Sequence, residues 1–529
     1  MSTPCKVLIA DKMSGEAETI LRERGIDVDV ITGMEPDALL TAIGDYDGLL
    51  IRSSTTVTSD VLAAAGRLKL IGRAGIGVDN VDVAAATARG VVVMNTPFGN
   101  AITTAEHAIA MMMALARQIA SADRSTRAGK WEKSRFVGME LAGKTLGLVG
   151  CGNIGLIVAS RAQGLKMRVV VADPFLSLER ARELGVERVE LADLLARADV
   201  ISVHTPLNDA TRGMIGAAEL AAAKPGVRIV NCARGGIVDE AALHDALVSG
   251  QVAGAALDVF STEPPGDSPL LALDNVVVTP HLGASTAEAQ ENVARQVAEQ
   301  AADFLLAGAV SNAVNMPSIT PEEAPLLKPY MALAGHLGSF AGQLTRSGIK
   351  AVSIEYEGHV AGLNTRPLTA TALAGLLRPM VDSVNAVNAP VVAQQRDIAV
   401  SETRHDRRGD YPTLIRVTVT TDNRSREVVG TLFADDKPRI VGIKGIRIDA
   451  EPTSHMLYIA NRDVPGIIGF LGNTLGEAGL NIATFALGRA EAGGDAIALI
   501  SIDQPLDRET LVAIRAHEGI SQAESLTFD

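Results

Sequence analysis

Cysteine is scarce. Cys5, Cys151 and Cys232 are the only three in 529 residues, which excludes a disulfide framework and fits a reducing compartment. Aromatic residues make up 3%, with the single Trp131, so few platforms exist for stacking bases. Positive charge is in deficit: 48 Lys and Arg stand against 62 Asp and Glu, a net charge of −14. A general nucleic-acid binder needs a basic face against phosphates, so no nucleic-acid partner is expected. No apolar run approaches the ~18–20 residues of a membrane span. The longest run, Ala108 to Ala116, suits a buried helix. The apolar stretch Val7-Leu8-Ile9-Ala10 is ended at once by Asp11, unlike a secretory h-region. The expectation is a cytoplasmic protein with no membrane partner.

What is present is an ordinary globular balance, 47% hydrophobic and 21% charged. One core rarely grows beyond about 250–300 residues, so at least three domains are expected. Residues 1–99 alternate buried parallel-strand runs (Lys6–Ala10, Gly48–Ile51, Leu70–Ile71, Val91–Met94) with helical stretches, an α/β layer pattern. Residues 100–130 read as one long helix. A second α/β run follows, with strands over Thr145–Val149, Arg168–Ala172, Val200–His204, Arg228–Asn231, Ala253–Leu257 and Val276–Thr279. Asn315 to Pro329 carries four prolines and reads as a linker. Beyond it come alternating strands around a helix over Thr369–Val387. From His455 the order is strand, helix, strand, strand, helix, strand, the ferredoxin-like βαββαβ pattern. The fold class expected is α/β: two Rossmann-like doubly wound lobes, then an α+β domain and a βαββαβ module.

Gly150-Cys-Gly152-Asn-Ile-Gly155 places G-x-G-x-x-G between a strand and a helix. Gly150 permits the tight turn, Gly152 close approach to a diphosphate, and Gly155 close helix–strand packing. Asp173 follows the next strand; its carboxylate suits ribose hydroxyls and repels a 2′-phosphate, so the cofactor expected is NAD. Three further strand ends carry Arg234, Glu263 and His281. Ligands bind at the carboxyl ends of parallel strands. There an Arg holds a carboxylate, a His takes a hydroxyl proton and a Glu orients the His. Cys232 reads as small packing near the cofactor. No Cys/His spacing suits zinc, so no metal is expected.

These stretches resemble the D-isomer-specific 2-hydroxyacid dehydrogenase family: Gly150–Gly155, Asn231–Gly236, Leu257–Pro264 and Thr279–Ser285, with Arg73–Asn80 upstream. The whole chain is similar to the long members that oxidise 3-phosphoglycerate, and Asn461–Gly469 with Asn481-Ile482 is similar to ACT domains. The resemblance implies a split substrate-binding lobe (1–98 and 285–316), an NAD lobe (99–284), an intervening regulatory domain (317–453) and an ACT domain (454–529). It implies Arg234, Glu263 and His281 as catalytic. Toward NAD it implies Gly150, Gly152, Asn153, Ile154, Gly155, Asp173, Thr205, Pro206, Cys232, Ala233, Arg234, Asp258, His281 and Gly283. The activity implied is NAD-dependent oxidation of 3-phospho-D-glycerate to 3-phosphohydroxypyruvate, the first step of L-serine biosynthesis. The alternatives are another D-2-hydroxyacid dehydrogenase of glycerate or hydroxypyruvate type, and a non-catalytic nucleotide-sensing scaffold.

A doubly anionic substrate on a net negative protein demands a local cationic site. Arg52 and Ser53 end a strand. The Gly75 loop offers backbone N–H groups. Asn100 is read either as a substrate contact or as a helix cap. Between Arg117 and Arg135 six cations face two acids, around Trp131; the resemblance implies that this segment, with Trp131, Lys133 and Arg135, reaches a partner subunit's site. Met111, Met112, Met113 and Leu115 suggest surplus apolar surface, hence a homo-oligomer, at least a dimer and expected as a tetramer. Lys437, Arg439, Lys444 and Arg447 form a candidate basic face. The ACT resemblance implies an L-serine effector near Asn461, Asp463 and Asn481. Asn461 stands where relatives place a His or Tyr, which implies weak inhibition.

Overall fold

The computed structural model describes residues 4–528 apart from 382, 407, 408 and 423. The first sheet has five parallel strands in the order Asp27–Val30, Lys6–Ile9, Gly48–Ile51, Leu70–Arg73, Val92–Asn95. Both faces are covered, which is why these strands read as unbroken apolar runs. Val7 and Leu50 enter one core while Leu8 and Leu49 enter the other. Val293, Val297 and Ala301 of helix Ala287–Ala307 share the core of Val7 and Leu50. The chain therefore leaves this layer after Asn95 and returns to it at Ala287, with the second sheet built in between.

The second sheet has seven parallel strands: Val276–Val278, Val252–Leu257, Val227–Asn231, Val200–Val203, Thr145–Val149, Arg168–Ala172, Glu187–Arg188. Counted from Thr145–Val149, the first three run outward one way and the rest the other. The order reverses between Thr145–Val149 and Val200–Val203, the crevice where doubly wound sheets take ligands.

The single helix expected over 100–130 is two helices, Ala101–Ala116 and Ile119–Arg127. Gln118 between them adopts a left-handed backbone (φ 52°), which ends the first helix as a C-terminal cap residue does. Met111, Met112 and Leu115 are buried in the chain's own core, so the surplus apolar face shrinks to partly exposed Met113. The stretch expected as a linker already contains a helix start, Glu323–Gln343. Pro325 sits in its first turn, where no N–H is needed, and Pro329 is tolerated inside. The helix expected over Thr369–Val387 is shorter, Arg366–Leu377, because Pro379 has no N–H to continue the ladder and its ring crowds the preceding turn; a second helix, Ala389–Gln395, follows.

Those helices cover one face of a third sheet. Its order is Ala399–His405, Ile349–Gly358, Thr413–Thr421, Ser425–Phe433, Lys437–Ile443, Ile446–Ala450, antiparallel except for the first pair. Glycine is required where the two long helices cross, since a Cβ on Gly338 would strike the Ala372 carbonyl. The fourth sheet, antiparallel, follows the βαββαβ order: His455–Arg462, helix Ile467–Glu477, Ile482–Arg489, Asp495–Ile502, helix Arg508–Arg515, Ile520–Thr527. Its outer face packs its own helices through Leu457, Ile459 and Ile500. Its inner face sends Met456, Tyr458 and Leu499 into the core of the third sheet. There Tyr458 meets Phe340 edge-on, ring centroids 5.6 Å apart. The last two sheets thus share one core. The third unit also grips the first sheet's layer: Asn385 Nδ2 donates to the Gly90 carbonyl at 2.9 Å and Asn388 Nδ2 to that of Ala88 at 3.0 Å. Among the described residues no helix is long and apolar enough to cross a membrane.

Candidate active site

The carboxyl ends of the first two sheets face one another. Arg234 crosses between them, its Nε donating to Asp79 Oδ2 at 2.8 Å and its Nη1 to the Ala233 carbonyl at 2.7 Å. Its other terminal nitrogen lies where a Cβ on Gly77 would project. Asn153 Nδ2 adds a second crossing to the Pro97 carbonyl, 3.3 Å.

His281 and Glu263 come from neighbouring strand ends. His281 Nδ1 is 2.7 Å from Glu263 Oε2, and Glu263 Oε1 accepts from the Phe260 N–H at 3.1 Å. His281 has a left-handed backbone (φ 55°). For a non-glycine residue this conformation costs about 1–3 kcal/mol, and the surroundings must enforce it. Buried Asp258 enforces it. Its carbonyl accepts from the His281 N–H (2.9 Å), and its carboxylate accepts from the N–H groups of Leu282 (2.7 Å) and Gly283 (2.9 Å) and the Thr279 hydroxyl (2.6 Å). Burial raises the Asp258 carboxyl, but the donors His107, Thr279 and Leu282 outweigh it and hold the group below the ordinary range.

The glycine fingerprint fits a dinucleotide. A Cβ on Gly150 (φ 93°) would strike the His204 carbonyl, and one on Gly155 the Gly150 carbonyl. A Cβ on Gly152 would meet nothing, so that side of the turn stays open beside the start of helix Asn153–Gly164, whose first turn holds Ile154. Asp173 closes the crevice, Oδ2 accepting from the Cys151 N–H (2.7 Å) and Oδ1 from the Phe175 N–H (2.8 Å). Thr205 Oγ1, beside Pro206, is buried without a hydrogen-bond partner, a polar atom that a ligand in the crevice would satisfy. Burial pushes the neighbouring His204 imidazole down to about 4, with its Nε2 2.8 Å from Ser202 Oγ.

The first sheet supplies further charge. Buried Asp11 accepts from the Arg52 N–H (2.6 Å) and the Thr55 hydroxyl (2.7 Å), while Arg52 Nη1 reaches the Lys12 carbonyl (3.2 Å) and Ser53 is exposed. Arg73 was missed by the sequence reading as a site residue, although it ends the strand Leu70–Arg73 as Arg52 follows its own. Its guanidinium lies under Gly75 (φ 148°), against the position of a Cβ there. Burial, then the nearby Arg234 and Arg52, push it down to about 10, with Asp79 and Asp11 opposing. Asp79, Asp11 and His107 were missed as well. Asn100 makes no capping hydrogen bond; its Oδ1 is buried and unpaired at the mouth of the hinge.

Other expected site residues are not brought to this cleft within the chain. Trp131 is 87% exposed, and Arg135 is paired with Glu132 and Asp274. Lys133 is exposed beside them. Asp463 accepts from the Gly493 N–H (3.1 Å) and from Arg489 (2.8 Å), which lower its carboxyl. Asn481 Nδ2 donates to Asp503 Oδ2 (2.8 Å), and Asn461 is buried with Nδ2 on the Arg462 carbonyl (2.7 Å). The expected basic face is dispersed: Arg439 pairs with Glu451, Arg447 with Asp410, and exposed Lys444 lies over the Tyr458 ring. His107, Cys232 and Asp258 bring ligand-type atoms within 4.8 Å of one another. Burial, with Asp258 adding, pushes the Cys232 thiol up, against the thiolate that a metal needs.

Residues 109–283 match the family described as D-isomer specific 2-hydroxyacid dehydrogenase, NAD binding domain, and residues 326–444 match the D-3-phosphoglycerate dehydrogenase intervening domain. The chain is 45% identical to the D-3-phosphoglycerate dehydrogenase of Bacillus subtilis (strain 168), over 95% of each chain. It is 43% identical to that of Archaeoglobus fulgidus, over 98% of this chain and 99% of the relative. The chain belongs to the D-3-phosphoglycerate dehydrogenase family. Solved structures similar to it match the dehydrogenase part. A glyoxylate reductase from Paecilomyes thermophila is 32% identical with a TM-score of 0.56, covering 59% of this chain and 99% of that one. A Thermus thermophilus protein is 37% identical with a TM-score of 0.54, covering 58% of this chain and 99% of that one. Family membership makes the chain an oxidoreductase with NAD as cofactor, and the match to the NAD-binding domain ends at Gly283, within the loop that carries His281.

Proposed function

We propose that this protein oxidises 3-phospho-D-glycerate to 3-phosphohydroxypyruvate, opening L-serine biosynthesis in the cytoplasm. The observation that supports it most is the pairing of His281 with Glu263 at 2.7 Å, in a cleft that Arg234 enters from the facing side. NAD, when bound, supplies the hydride acceptor. Arg234, Glu263 and His281 are the catalytic residues. The Arg234 guanidinium holds the substrate carboxylate beside the Gly75–Gly77 loop. Glu263 accepts a hydrogen bond from the Nδ1–H of His281, which leaves Nε2 as the acceptor for the hydroxyl proton. Glu263 then stabilises the imidazolium. Arg52 and Ser53 take the phosphate, with Arg73 beneath them adding charge, and Asn100 turns its unpaired Oδ1 toward the hydroxyl side.

For the cofactor, Gly150, Gly152, Asn153, Ile154 and Gly155 hold the diphosphate and Asp173 the adenosine ribose. Thr205, Pro206, Cys232, Ala233, Asp258 and Gly283 line the nicotinamide end. No metal takes part. We assign 1–98 with 285–316 to the substrate lobe, 99–284 to the NAD lobe, 317–453 to an intervening regulatory domain and 454–529 to an ACT domain. The protein works as a homo-oligomer, a tetramer. Exposed Ile102, Met113, Ile119 and Trp131 support a contact around the segment 117–135, which brings Trp131, Lys133 and Arg135 to a partner's substrate. An ACT pair binding L-serine at Asn461, Asp463 and Asn481 gives feedback. NADH formation from 3-phosphoglycerate, compared with glycerate and lactate, tests the reading. Turnover of glycerate at an equal rate would overturn the phosphorylated substrate.

A further inference from the structure

His107 lies on helix Ala101–Ala116, and its ring pairs with Thr279 and Asp258, not with the hydrogen-bonded pair His281–Glu263. Its Nε2 is 3.2 Å from the Thr279 hydroxyl oxygen and 3.2 Å from Asp258 Oδ1. The Thr279 hydroxyl proton is directed to Asp258 at 2.6 Å, so Thr279 is the acceptor toward His107, and the His107 ring must carry its proton on Nε2. Among the described residues, that N–H is the one side-chain donor from outside the 258–283 segment placed on the buried Asp258 carboxylate. One turn earlier, Thr104 Oγ1 lies 2.9 Å from the Gly283 carbonyl, on the same face of the helix. Asp258 in turn holds the backbone of His281, Leu282 and Gly283 and so maintains the left-handed conformation at His281. The same helix starts at the hinge residue Asn100, directly after the layer that carries Arg52 and Arg73.

We propose that His107 is a positioning residue for the proton acceptor: through Thr279 and Asp258 it sets where His281 Nε2 stands relative to a substrate held by the first sheet. The inference rests on the dehydrogenase reading above and assigns that reaction a residue which does not itself meet substrate or cofactor. A buried carboxylate that loses a donor must shift or recruit water, and either response moves the loop it anchors. Displacement of a reacting group by about 1 Å costs on the order of 10²-fold in rate. The loss should therefore fall mainly on the chemical step, since the diphosphate and ribose contacts of the cofactor are assigned to Gly150–Gly155 and Asp173, outside this loop.

The contrast that tests this is His107→Leu against His107→Gln. Both fill the ring's volume, and only Gln keeps a donor near Nε2. The parent is first assayed with 3-phosphoglycerate; inactivity there would refute the dehydrogenase reading itself. His107→Leu should lower kcat by about 10- to 100-fold, leave the KM for NAD and the binding of NADH close to the parent's, and raise the deuterium isotope effect with substrate labelled at C2. His107→Gln should recover most of kcat and a parent-like isotope effect. The proposal is overturned by parent-like kcat in His107→Leu, by loss of NADH binding in it, or by Gln proving no better than Leu. Should His107→Leu not fold, the Gln variant alone decides, since a folded Gln enzyme with the kinetic defect refutes the donor role and one without it supports that role.

Discussion

Glu263 Oε2 lies 2.7 Å from His281 Nδ1 and so leaves Nε2 as the ring nitrogen for proton transfer. His281→Ala should therefore reduce turnover by about 10²–10⁴-fold or more and leave NADH binding nearly intact, as followed by NADH fluorescence. Undiminished turnover would remove His281 from the chemistry.

Asp173 does two jobs with one carboxylate. In the proposed reading it holds the adenosine ribose, and it anchors the Cys151 N–H of the glycine turn at 2.7 Å. Asp173→Ala should raise the ratio of NADP to NAD use by relieving repulsion of a 2′-phosphate, while weakening NAD as well. Steady-state kcat/KM with each cofactor checks both effects, and an unchanged ratio would count against the ribose role.

Arg52 lies beside Arg73 at the carboxyl edge of the first sheet, while Arg234 enters from the second. Arg52→Ala should depress kcat/KM for 3-phosphoglycerate far more than for an unphosphorylated 2-hydroxyacid. A charge-assisted hydrogen bond is worth ~1.5–3 kcal/mol, on the order of 10- to 100-fold. Equal losses on the two substrates would assign Arg52 to the carboxylate or to the Asp11 turn.

L-serine should inhibit, and only weakly, because Asp463 is already held by Arg489 and Gly493 and must exchange those partners for an amino group. Asn481→Ala should abolish the effect and leave basal kcat unchanged. Inhibition curves at millimolar serine decide the matter, and an undiminished response in the variant would place the effector elsewhere.

Burial keeps the His204 ring neutral down to about pH 4, whereas an exposed histidine protonates near about 6.5. The unfolded chain binds that proton first, so the contribution of His204 is complete above about pH 6.5 and fades as pH falls toward 4. His204→Asn cannot titrate. Between pH 7 and 5 the parent should lose more Tm than this variant; parallel curves would show that His204 titrates alike in both states.

Sequence alone determined the features with local causes. The apolar runs of both parallel sheets, the glycine turn at Gly150–Gly155 and the strand ends bearing Arg234, Glu263 and His281 each follow from spacing within a few residues. The βαββαβ order after His455 was legible for the same reason, since alternation and helix periodicity are properties of short windows. The break at Gln118 was not, because nothing in its neighbours demands a left-handed residue within an apolar helix pattern. Nor was the helix through Pro325 and Pro329, where Pro325 falls in the first turn and packing outweighs a local cost of about 3 kcal/mol at Pro329.

Only the tertiary structure decided which distant groups meet. Arg234 and Asp79 are separated by 155 positions, His107 and Thr279 by 172, and Asn388 and Ala88 by 300. It also decided that Tyr458 completes the core of the preceding sheet instead of leaving the last module to stand alone. Such contacts depend on how whole layers dock, and docking is fixed by the summed burial of many side chains. Which partner each of these residues meets leaves no mark in its own neighbourhood. Asp79 and His107 look like ordinary surface polar residues until two sheets present their carboxyl ends to the same cleft.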